Sequence, residues 1–300
     1  MELTCTARRA GPLLSFLRTE LRLSSSEVKR LKRQDAFLVN GTPVHTDYSI
    51  VPGDRIAVVL REALPDFPAE HGALDILLED DGLLAVDKPA GMWMHPSASR
   101  NTGTLANRVA GYFASTGQCC GIHPVTRLDR DTFGVSLLAK NAHIHGLLSG
   151  LQRERQVKKT YLATVYGCPA EEAGRWELPI ARKEGGSLLR EVQPDGQQAV
   201  TDYRILARKG DLTLLELHPH TGRTHQLRVH CAAAGCPILG DSAYGNESTL
   251  AGARELGLET QQLCAAVLEF PHPLTGQPVV IRSNLRPFFP DLSENFPFGC

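Results

Sequence analysis

Apolar positions near the start of the chain repeat first at helical spacing. A series with a period of three to four residues predicts a helix; its members are Leu13, Leu14, Leu17 and Leu21. Ser24 and Glu27 then form a capping-box pattern, which predicts a second helix that turns Val28 and Leu31 inward. Two short helices are therefore expected before residue 34.

Strand patterns follow and dominate the rest of the chain. An Asn-Gly pair at 40–41 between apolar runs predicts a hairpin, and the run at 53–59 predicts a further strand. Residues 1–62 are thus expected to form a small unit of helices and a hairpin. Residues 63–72 contain two prolines and end in glycine, which is typical of a linker.

Beyond the linker, apolar runs of strand length outnumber helical ones. The predicted strands are 76–79, 83–86, 135–139, 157–165, 200–206, 212–217, 264–270 and 279–281. Helices are expected at 105–113, after Asn141, and between 223 and 234, where a turn becomes a helix. Because tight turns join neighbouring strands, residues 73–300 are expected to form an α+β domain with a largely antiparallel sheet.

Composition narrows the class of protein. The formal net charge is -1, so any nucleic acid would have to bind a local patch of positive charge. We find no apolar run near the ~18 residues of a membrane-spanning helix, and no secretory signal pattern at the N-terminus. Eight cysteines without a C-x-x-C pair favour free thiols in a reducing cytoplasm. We therefore expect a cytoplasmic protein without a membrane partner, and a monomer.

Candidate chemistry is concentrated just before the run at 135–139. Four charged residues lie within five positions and are closed by Gly134: Arg127, Asp129, Arg130 and Asp131. A charged loop that leads into a buried strand places ionised groups on a rigid support, where enzymes often hold their chemistry. The alternative is a solvated turn whose charges merely neutralise one another.

This loop resembles the R-L-D-x-x-T-x-G core of the RluA-type pseudouridine synthases. Three further segments match that family in order: the K-P-x-G segment at 80–91, K-x-Y-x-A at 159–163, and T-G-R-x-H-Q-L-R-x-H at 221–230. The resemblance covers roughly residues 74–290. It implies a catalytic domain built on a split, mixed but mainly antiparallel sheet, and isomerisation of uridine to pseudouridine in structured RNA. No cofactor and no metal are required by such an isomerisation.

The resemblance also implies roles for individual residues. Asp129 matches the catalytic nucleophile, Arg228 matches the basic residue that pairs with it, and Tyr161 matches the tyrosine that stacks on the target uracil. Burial of a carboxylate beside an uncharged base favours its protonated form, and a fixed guanidinium opposes this. Whether Asp129 attacks C1′ or C6 of the nucleotide, or removes a sugar proton, stays open.

Five further residues are candidate substrate ligands. Arg127 matches the family residue that can fill the vacancy left when the uridine leaves the stack. Arg223 and Lys88 are candidate phosphate ligands, and His225 and Gln226 belong to the same motif as Arg228.

Three positions of the catalytic loop have other features. Asp131 falls at a variable position of the motif and is expected to brace the loop. Two departures, Thr126 and Phe133, replace residues common in the family and bear on target choice.

The second predicted helix and its surroundings are basic. Residues 18–33 contain two acidic side chains and six basic ones: Arg18, Arg22, Lys29, Arg30, Lys32 and Arg33. An ordinary solvated helix face would have the same appearance. However, two helices followed by V-N-G and a late G-D-x-I resemble the alpha-L RNA-binding module, in which a basic helix face meets phosphates. Ribosomal RNA is the favoured partner by association with this module, and transfer RNA is the alternative.

Two other functions remain to be weighed. A metal-dependent hydrolase would draw on four histidines: His218, His220, His225 and His230. Their spacing does not give an H-E-x-x-H pattern. An RNA-binding protein without catalysis would not need Asp129, Tyr161 and Arg228 as a set.

Overall fold

The computed structural model describes residues 1–185 and 188–290, so part of the predicted catalytic domain (186–187 and 291–300) lies outside the described residues. Within them the helices are α1 (Leu13–Thr19), α2 (Ser25–Lys32), α3 (Leu105–Ser115), α4 (Ala142–Arg153), α5 (Gln226–Ala233) and α6 (Glu247–Glu255). The strands up to the second helix pair are β1 (Glu2–Thr6), β2 (Gly11–Pro12), β3 (Phe37–Val39), β4 (Thr42–Pro43), β5 (Ser49–Ile50), β6 (Arg55–Val59), β7 (Ile76–Glu79), β8 (Leu83–Lys88), β9 (His123–Pro124) and β10 (Phe133–Ala139). The later strands are β11 (Lys158–Tyr166), β12 (Ala173–Glu177), β13 (Ile180–Arg182), β14 (Arg190–Val192), β15 (Val200–Lys209), β16 (Leu212–Pro219), β17 (Leu263–Pro271) and β18 (Pro278–Arg282).

The first sixty residues fold around their own apolar cluster. Strands β1, β6, β3 and β4 form a sheet in that order, and α1 and α2 cover a cluster drawn from Leu3 to Leu60. The predicted capping box is confirmed, since Ser24 Oγ accepts from the Glu27 backbone N–H and Glu27 accepts from the Ser24 N–H. The turn before the hairpin has no glycine, and Asp35 takes its place with φ 48°.

The second sheet is mixed and mainly antiparallel. Its strand order is β12-β15-β16-β11-β17-β10-β8-β7, with β18 also paired to β17 and β9 to β10. Strands β10 and β17 run parallel and share only two residue pairs, whereas the other pairs in this sheet are antiparallel. The short parallel pair divides the sheet into two halves. The predicted α+β class with a split, mainly antiparallel sheet is thus confirmed.

Gly134 lies where the two halves meet. It pairs with Ala265 across the parallel junction, and its φ is +107°. A Cβ at this position would lie 2.4 Å from the Ala265 carbonyl oxygen. Only glycine permits this approach of two backbones, so the glycine that closes the charged loop also joins the sheet halves.

Strand β8 is buried on both faces, which explains its continuous apolar sequence. Leu83 and Ala85 face the cluster that includes α4, and Leu84 and Val86 face the cluster that includes α3. Both helices are capped as predicted, because Thr104 and Asn141 accept backbone N–H groups of the first turn. The sheet half that carries the charged loop is thereby held rigid.

The two units touch through polar groups that the apolar pattern does not reveal. Glu27 Oε1 lies 3.0 Å from Nδ1 of His143, whose side chain is almost fully buried. Glu62 lies 3.2 Å from Nε2 of His123 and accepts the Ala142 N–H at 3.1 Å. Burial alone would raise the pKa of Glu27, but hydrogen bonds from His143 and Ser24 outweigh it and bring the pKa to about 2. The N-terminal unit is therefore docked on α4, although a linker joins the two in sequence.

Two findings bear on the expected class of protein. No helix in the described residues is long and apolar enough to cross a membrane. The seven cysteines within the described part of the chain are free thiols.

Candidate active site

The charged loop before β10 alternates between buried and outward residues. Thr126, Leu128 and Thr132 are buried, whereas Arg127 is exposed and Asp129 is partly exposed. Thr126 Oγ1 accepts the Leu137 N–H at 2.9 Å, and Thr132 accepts from Gln261. Thr126, one of the two departures from the family motif, therefore fastens the loop to its own strand.

The outward residues of the loop differ in their partners. Asp131 binds the adjacent residue Arg130 through two hydrogen bonds, at 2.8 and 2.7 Å, and its expected role in bracing the loop stays a prediction. Phe133, the second departure, is buried among Leu162 and Cys264. Asp129 is hydrogen-bonded to none of these residues, and its hydrogen-bond partner is Arg228 on α5.

Lys88 is not a phosphate ligand, so that prediction is wrong. Its side chain is fully buried, and its three donors go to the carbonyl oxygens of Pro89, Met92 and Arg130 at 2.8–2.9 Å. Burial lowers the pKa of Lys88 to about 8, although the negative charges of Asp131 and Asp129 act to raise it. Lys88 instead ties the K-P-x-G loop to the catalytic loop.

Arg228 spans two carboxylates. Its Nη1 donates to Asp129 Oδ2 at 3.0 Å, and its Nε and Nη2 donate to the two oxygens of Asp241 at 2.7 and 2.8 Å. Burial would lower the pKa of Arg228, but the hydrogen bonds and charge of Asp241, with those of Asp129, raise it above its usual value. The guanidinium therefore stays charged and has one fixed orientation towards Asp129.

Asp241 is a site residue that the sequence patterns did not single out. It is fully buried, and its Oδ1 also accepts the backbone N–H groups of Ala243 and Tyr244. The sequence signal that could have identified Asp241 is its position just after an apolar pair and Gly240. An acid next to a hydrophobic run is expected to be buried, and a buried acid requires a cation as its partner. Tyr244 is a second such residue, because its ring centroid lies 4.9 Å from Arg228 Cζ.

His225 occupies a strained position beside Asp129. It begins α5 with φ 59°, a left-handed conformation that is rare outside glycine. Its Nδ1 lies 2.8 Å from the Tyr244 hydroxyl, and its Nε2 lies 3.9 Å from Asp129 Oδ2. Burial lowers the pKa of His225, which favours the neutral ring. The Arg190 N–H donates to Tyr244, so the phenol can donate to Nδ1 and leave an Nε2–H that faces Asp129.

Tyr161 enters the site from β11. Its pKa is raised above the ordinary value by burial and by the charge of Asp129, so the phenol stays protonated. Tyr161 also lines a cavity of about 10 Å³, together with Thr126 and Lys159 among others. That volume holds about one water molecule, so this cavity is too small for a uracil.

The remaining predicted ligands differ in whether their side chains are already hydrogen-bonded within the protein. Arg127 is exposed, and no hydrogen bond or ion pair holds its side chain within the part of the chain that the structure describes. Arg223 is exposed but donates to Gln198 O and Gln197 Oε1. Gln226 is buried and its amide is satisfied by the Thr221 hydroxyl and neighbouring backbone groups, so its prediction as a substrate ligand is wrong. Gln226 shapes the turn that presents His225.

The four histidines of the hydrolase alternative have separate partners. His218 contacts Glu216, His220 contacts Asp202, and His230 is buried between Thr201 and the Leu178 carbonyl. Among the described residues, no group of three or more His, Cys, Asp or Glu side chains could hold one metal ion. The hydrolase alternative has no geometric support.

The basic residues of the N-terminal unit fall into two sets. Arg30 is not free for RNA, because it donates to the Arg61 carbonyl and to Glu62, and Arg18 donates to Ser25. The others are exposed, and the structure gives them no side-chain partner among the described residues: Arg22, Lys29, Lys32 and Arg33. At about 100° per residue, Lys29, Lys32 and Arg33 lie on the side of α2 opposite Glu27. The docked face and the free cationic face of this helix are thus distinct.

Comparisons with known proteins show which proteins have a similar sequence and fold. A family model described as RNA pseudouridylate synthase matches residues 82–233. The chain is 36% identical over 285 residues to the "Uncharacterized RNA pseudouridine synthase YhcT" of Bacillus subtilis, which covers 94% of this chain and 91% of that protein. It is 38% identical over 241 residues to YjbO of the same organism, with 80% and 83% covered. Among solved structures, "Human RNA Pseudouridylate Synthase Domain Containing 1" is similar, with a TM-score of 0.61 and 28% identity over 75% of this chain and 89% of that one.

Proposed function

This chain belongs to the RNA pseudouridylate synthase family, and is thus an isomerase that acts on RNA; from this premise we propose that Asp129 is its catalytic nucleophile. The observation that carries the proposal is the contact of 3.0 Å between Arg228 Nη1 and Asp129 Oδ2. The two residues are distant in sequence, and only the loop before β10 and helix α5 bring them together.

The reaction defines what the site has to do. The bond between uracil N1 and ribose C1′ breaks, a bond from C5 to C1′ forms, and the hydrogen on C5 leaves as a proton while N1 takes up a proton, so the composition of the nucleotide does not change. A carboxylate can form the covalent adduct that such a rearrangement needs. The position of Asp129 is set by the buried Leu128 and Thr132, and the Arg228 guanidinium binds its carboxylate.

Tyr161 and Arg127 serve the uridine itself in this proposal. The uracil stacks on the Tyr161 ring, and Tyr161 assists the proton transfer at C5. Arg127 is exposed and unpaired in the described structure, so it can move into the gap in the RNA stack. Displacing a base from a helix costs a few kcal/mol, and a cation in the gap offsets part of this cost. Arg223 keeps its proposed role at a phosphate.

The N-terminal unit supplies RNA affinity in the same proposal. Lys29, Lys32 and Arg33 form a cationic face that points away from the docked side of α2. Contacts of this kind to phosphates give affinity and salt dependence but little base selection. Ribosomal RNA is the proposed substrate and the cytoplasm the proposed location; transfer RNA is the alternative. Mapping pseudouridines in total RNA from cells with and without the gene tests the choice of RNA.

The substitution Asp129→Asn tests the nucleophile. We expect no release of tritium from RNA labelled at uracil C5, because the neutral amide cannot form the adduct, while the RNA dissociation constant changes by less than about threefold. Asp131→Asn is the matched control, because it makes the same change two positions away, in a residue paired with Arg130. Turnover of Asp129→Asn near the wild-type rate would reject the assignment.

A catalytically silent RNA-binding protein is the second candidate. The assembled set of Asp129, Arg228 and Tyr161 argues against it, since binding alone requires no carboxylate in the cleft. Tritium release in a chelator with no added cofactor would exclude it. Absence of release by the wild-type protein from total RNA of cells lacking the gene would support it.

A further inference from the structure

Trp93 is a large apolar side chain on the surface of the protein. Its side chain is 44% exposed, whereas its neighbours Met92 and Met94 are buried. Its backbone is held by a hydrogen bond from the Leu105 N–H to the Trp93 carbonyl at 2.8 Å. The ring is therefore presented to solvent from a rigid loop, and none of the roles proposed above explains this.

The loop that carries Trp93 is joined to the catalytic loop. Lys88 Nζ binds the Met92 and Arg130 carbonyl oxygens at 2.8 Å each, and so links the residues next to Trp93 and Asp129 in the chain. Arg130 Cζ also lies 5.9 Å from the centroid of the Trp93 ring. Trp93 is thus fixed relative to the nucleophile.

Positive charge surrounds the ring. Arg100 Cζ lies 5.9 Å from the same centroid, and the Arg100 side chain has no hydrogen bond or ion pair with another described residue. Arg127 lies close to His95, which is two residues from Trp93. The pKa of His95 is lowered by burial, by His123 and by the charge of Arg127. An exposed aromatic face among guanidinium groups matches a nucleotide, whose base stacks and whose phosphates are anionic.

The distances suit a base between the ring and a guanidinium. Stacked groups lie about 3.5 Å apart, so a ring, base and guanidinium in sequence need about 7 Å. The guanidinium carbons now lie 5.9 Å from the ring centroid, about 1 Å short of that spacing. Arg130 is held by its two hydrogen bonds to Asp131, whereas Arg100 has no such partner among the described residues, so a rotation of the Arg100 side chain supplies the difference.

We propose that Trp93 is the stacking platform for the base of a nucleotide flanking the target uridine, with the Arg100 guanidinium on the other face of that base. The proposal rests on the RNA isomerase function given above and names a contact outside the target uracil. Trp and Arg also anchor protein interfaces. RNA is the favoured occupant because Arg130 directly follows Asp129, which an RNA strand has to reach.

The kinetic test compares Trp93→Ala with Trp93→Phe on tritium-labelled total RNA from cells lacking the gene. Loss of one base–aromatic stack is expected to raise KM about tenfold, within a range of roughly 5- to 150-fold, in the Ala variant. The kcat at saturating RNA should stay within about twofold, and Phe should restore most of the affinity. Trp176→Phe is the matched control, because Trp176 stacks on Tyr203 with centroids 4.3 Å apart.

A fluorescence test observes the stack directly. The chain has two tryptophans, so Trp176→Phe leaves Trp93 as the only tryptophan, and its emission is excited selectively over that of the tyrosines. Titration with a ten-nucleotide oligouridylate should quench its emission, and an abasic ribose-phosphate oligomer of equal length should not. Stacking tolerates any base, so this probe does not depend on knowing the natural RNA.

The outcomes separate the two proposals. If wild-type protein releases tritium but Trp93→Ala keeps the wild-type KM and oligouridylate leaves the emission unchanged, the platform is refuted and the enzyme proposal stands. Equal quenching by the abasic oligomer would likewise refute base stacking. If wild-type protein releases no tritium from RNA while oligouridylate still quenches Trp93, the enzyme proposal fails and the stacking contact remains.

Discussion

Asp241→Asn is the substitution that best tests how the site is built. Asn keeps the shape of the side chain and one oxygen, which can still accept the N–H groups of Ala243 and Tyr244. The other oxygen becomes an NH2 group, which opposes the Nε–H of Arg228 in place of a bond of 2.7 Å. The buried guanidinium then has a single carboxylate partner, Asp129.

The structure sets the size of the effect. Asp241 is fully buried and the Arg228 side chain is 11% exposed, so the pair is shielded from water. Removing one partner of a buried ion pair costs about 3–5 kcal/mol. Arg228 can also turn towards Asp129, and a misplacement of about 1 Å in a catalytic group can cost about 100-fold in rate. We expect losses of this size in stability and in kcat.

Urea denaturation and tritium release measure the two losses. Asp131→Asn is the control, because its partner Arg130 is 49% exposed and such a pair contributes about 0–1 kcal/mol. The double variant Asp241→Asn with Arg228→Met removes the unpaired charge as well. It should be about 1–2 kcal/mol more stable than Asp241→Asn alone, yet inactive.

Two results would refute this reasoning. A stability loss below about 1 kcal/mol in Asp241→Asn, with full kcat, would show that Arg228 does not need its second carboxylate. A double variant that is less stable than Asp241→Asn would show that the cost lies in packing and not in the unpaired guanidinium.

Three further predictions follow from single contacts. Gly134→Ala should cost at least about 3 kcal/mol or prevent folding, because its Cβ would lie 2.4 Å from a carbonyl oxygen, whereas Gly146→Ala in α4 meets nothing within 4 Å and should be neutral or stabilising in the same urea assay. The pKa of Glu27 is lowered from 4.5 to about 2, so its ionised form contributes on the order of 3 kcal/mol to the free energy of unfolding above pH 4.5, and this contribution is lost as the pH falls towards 2. Glu27→Gln should flatten this part of an acid-denaturation curve, and an unchanged curve would contradict the contact with His143. Tyr161→Phe should retain RNA affinity better than Tyr161→Leu. Because the pKa of Tyr161 is raised above 10, ionisation of the phenol should not reduce the rate below about pH 10. A fall in rate between about pH 8 and 10 that depends on this tyrosine would disprove the raised pKa.

Much of this fold could be predicted from local pattern. Strand alternation, the capping box of α2 and the caps of α3 and α4 depend on residues a few positions apart, and each is where the pattern placed it. The motif order then pointed to Asp129, Tyr161 and Arg228 through resemblance to a family. The parallel junction at Gly134 was not visible in the pattern, since it depends on the approach of β17.

What the sequence determined by itself is therefore most of the larger helices and strands, and the loop that contains the candidate residue Asp129. Helix α6 and the edge strands β1 and β12 were not predicted. The tertiary structure decided the partners of the long polar side chains. Lys88 binds three carbonyl groups, the Gln226 amide forms hydrogen bonds with nearby residues, and Asp241 binds Arg228. The reason is physical. Apolar periodicity encodes which face of an element is buried, but a buried polar group takes whichever partner the folded chain brings within about 3 Å, and that partner comes from another element.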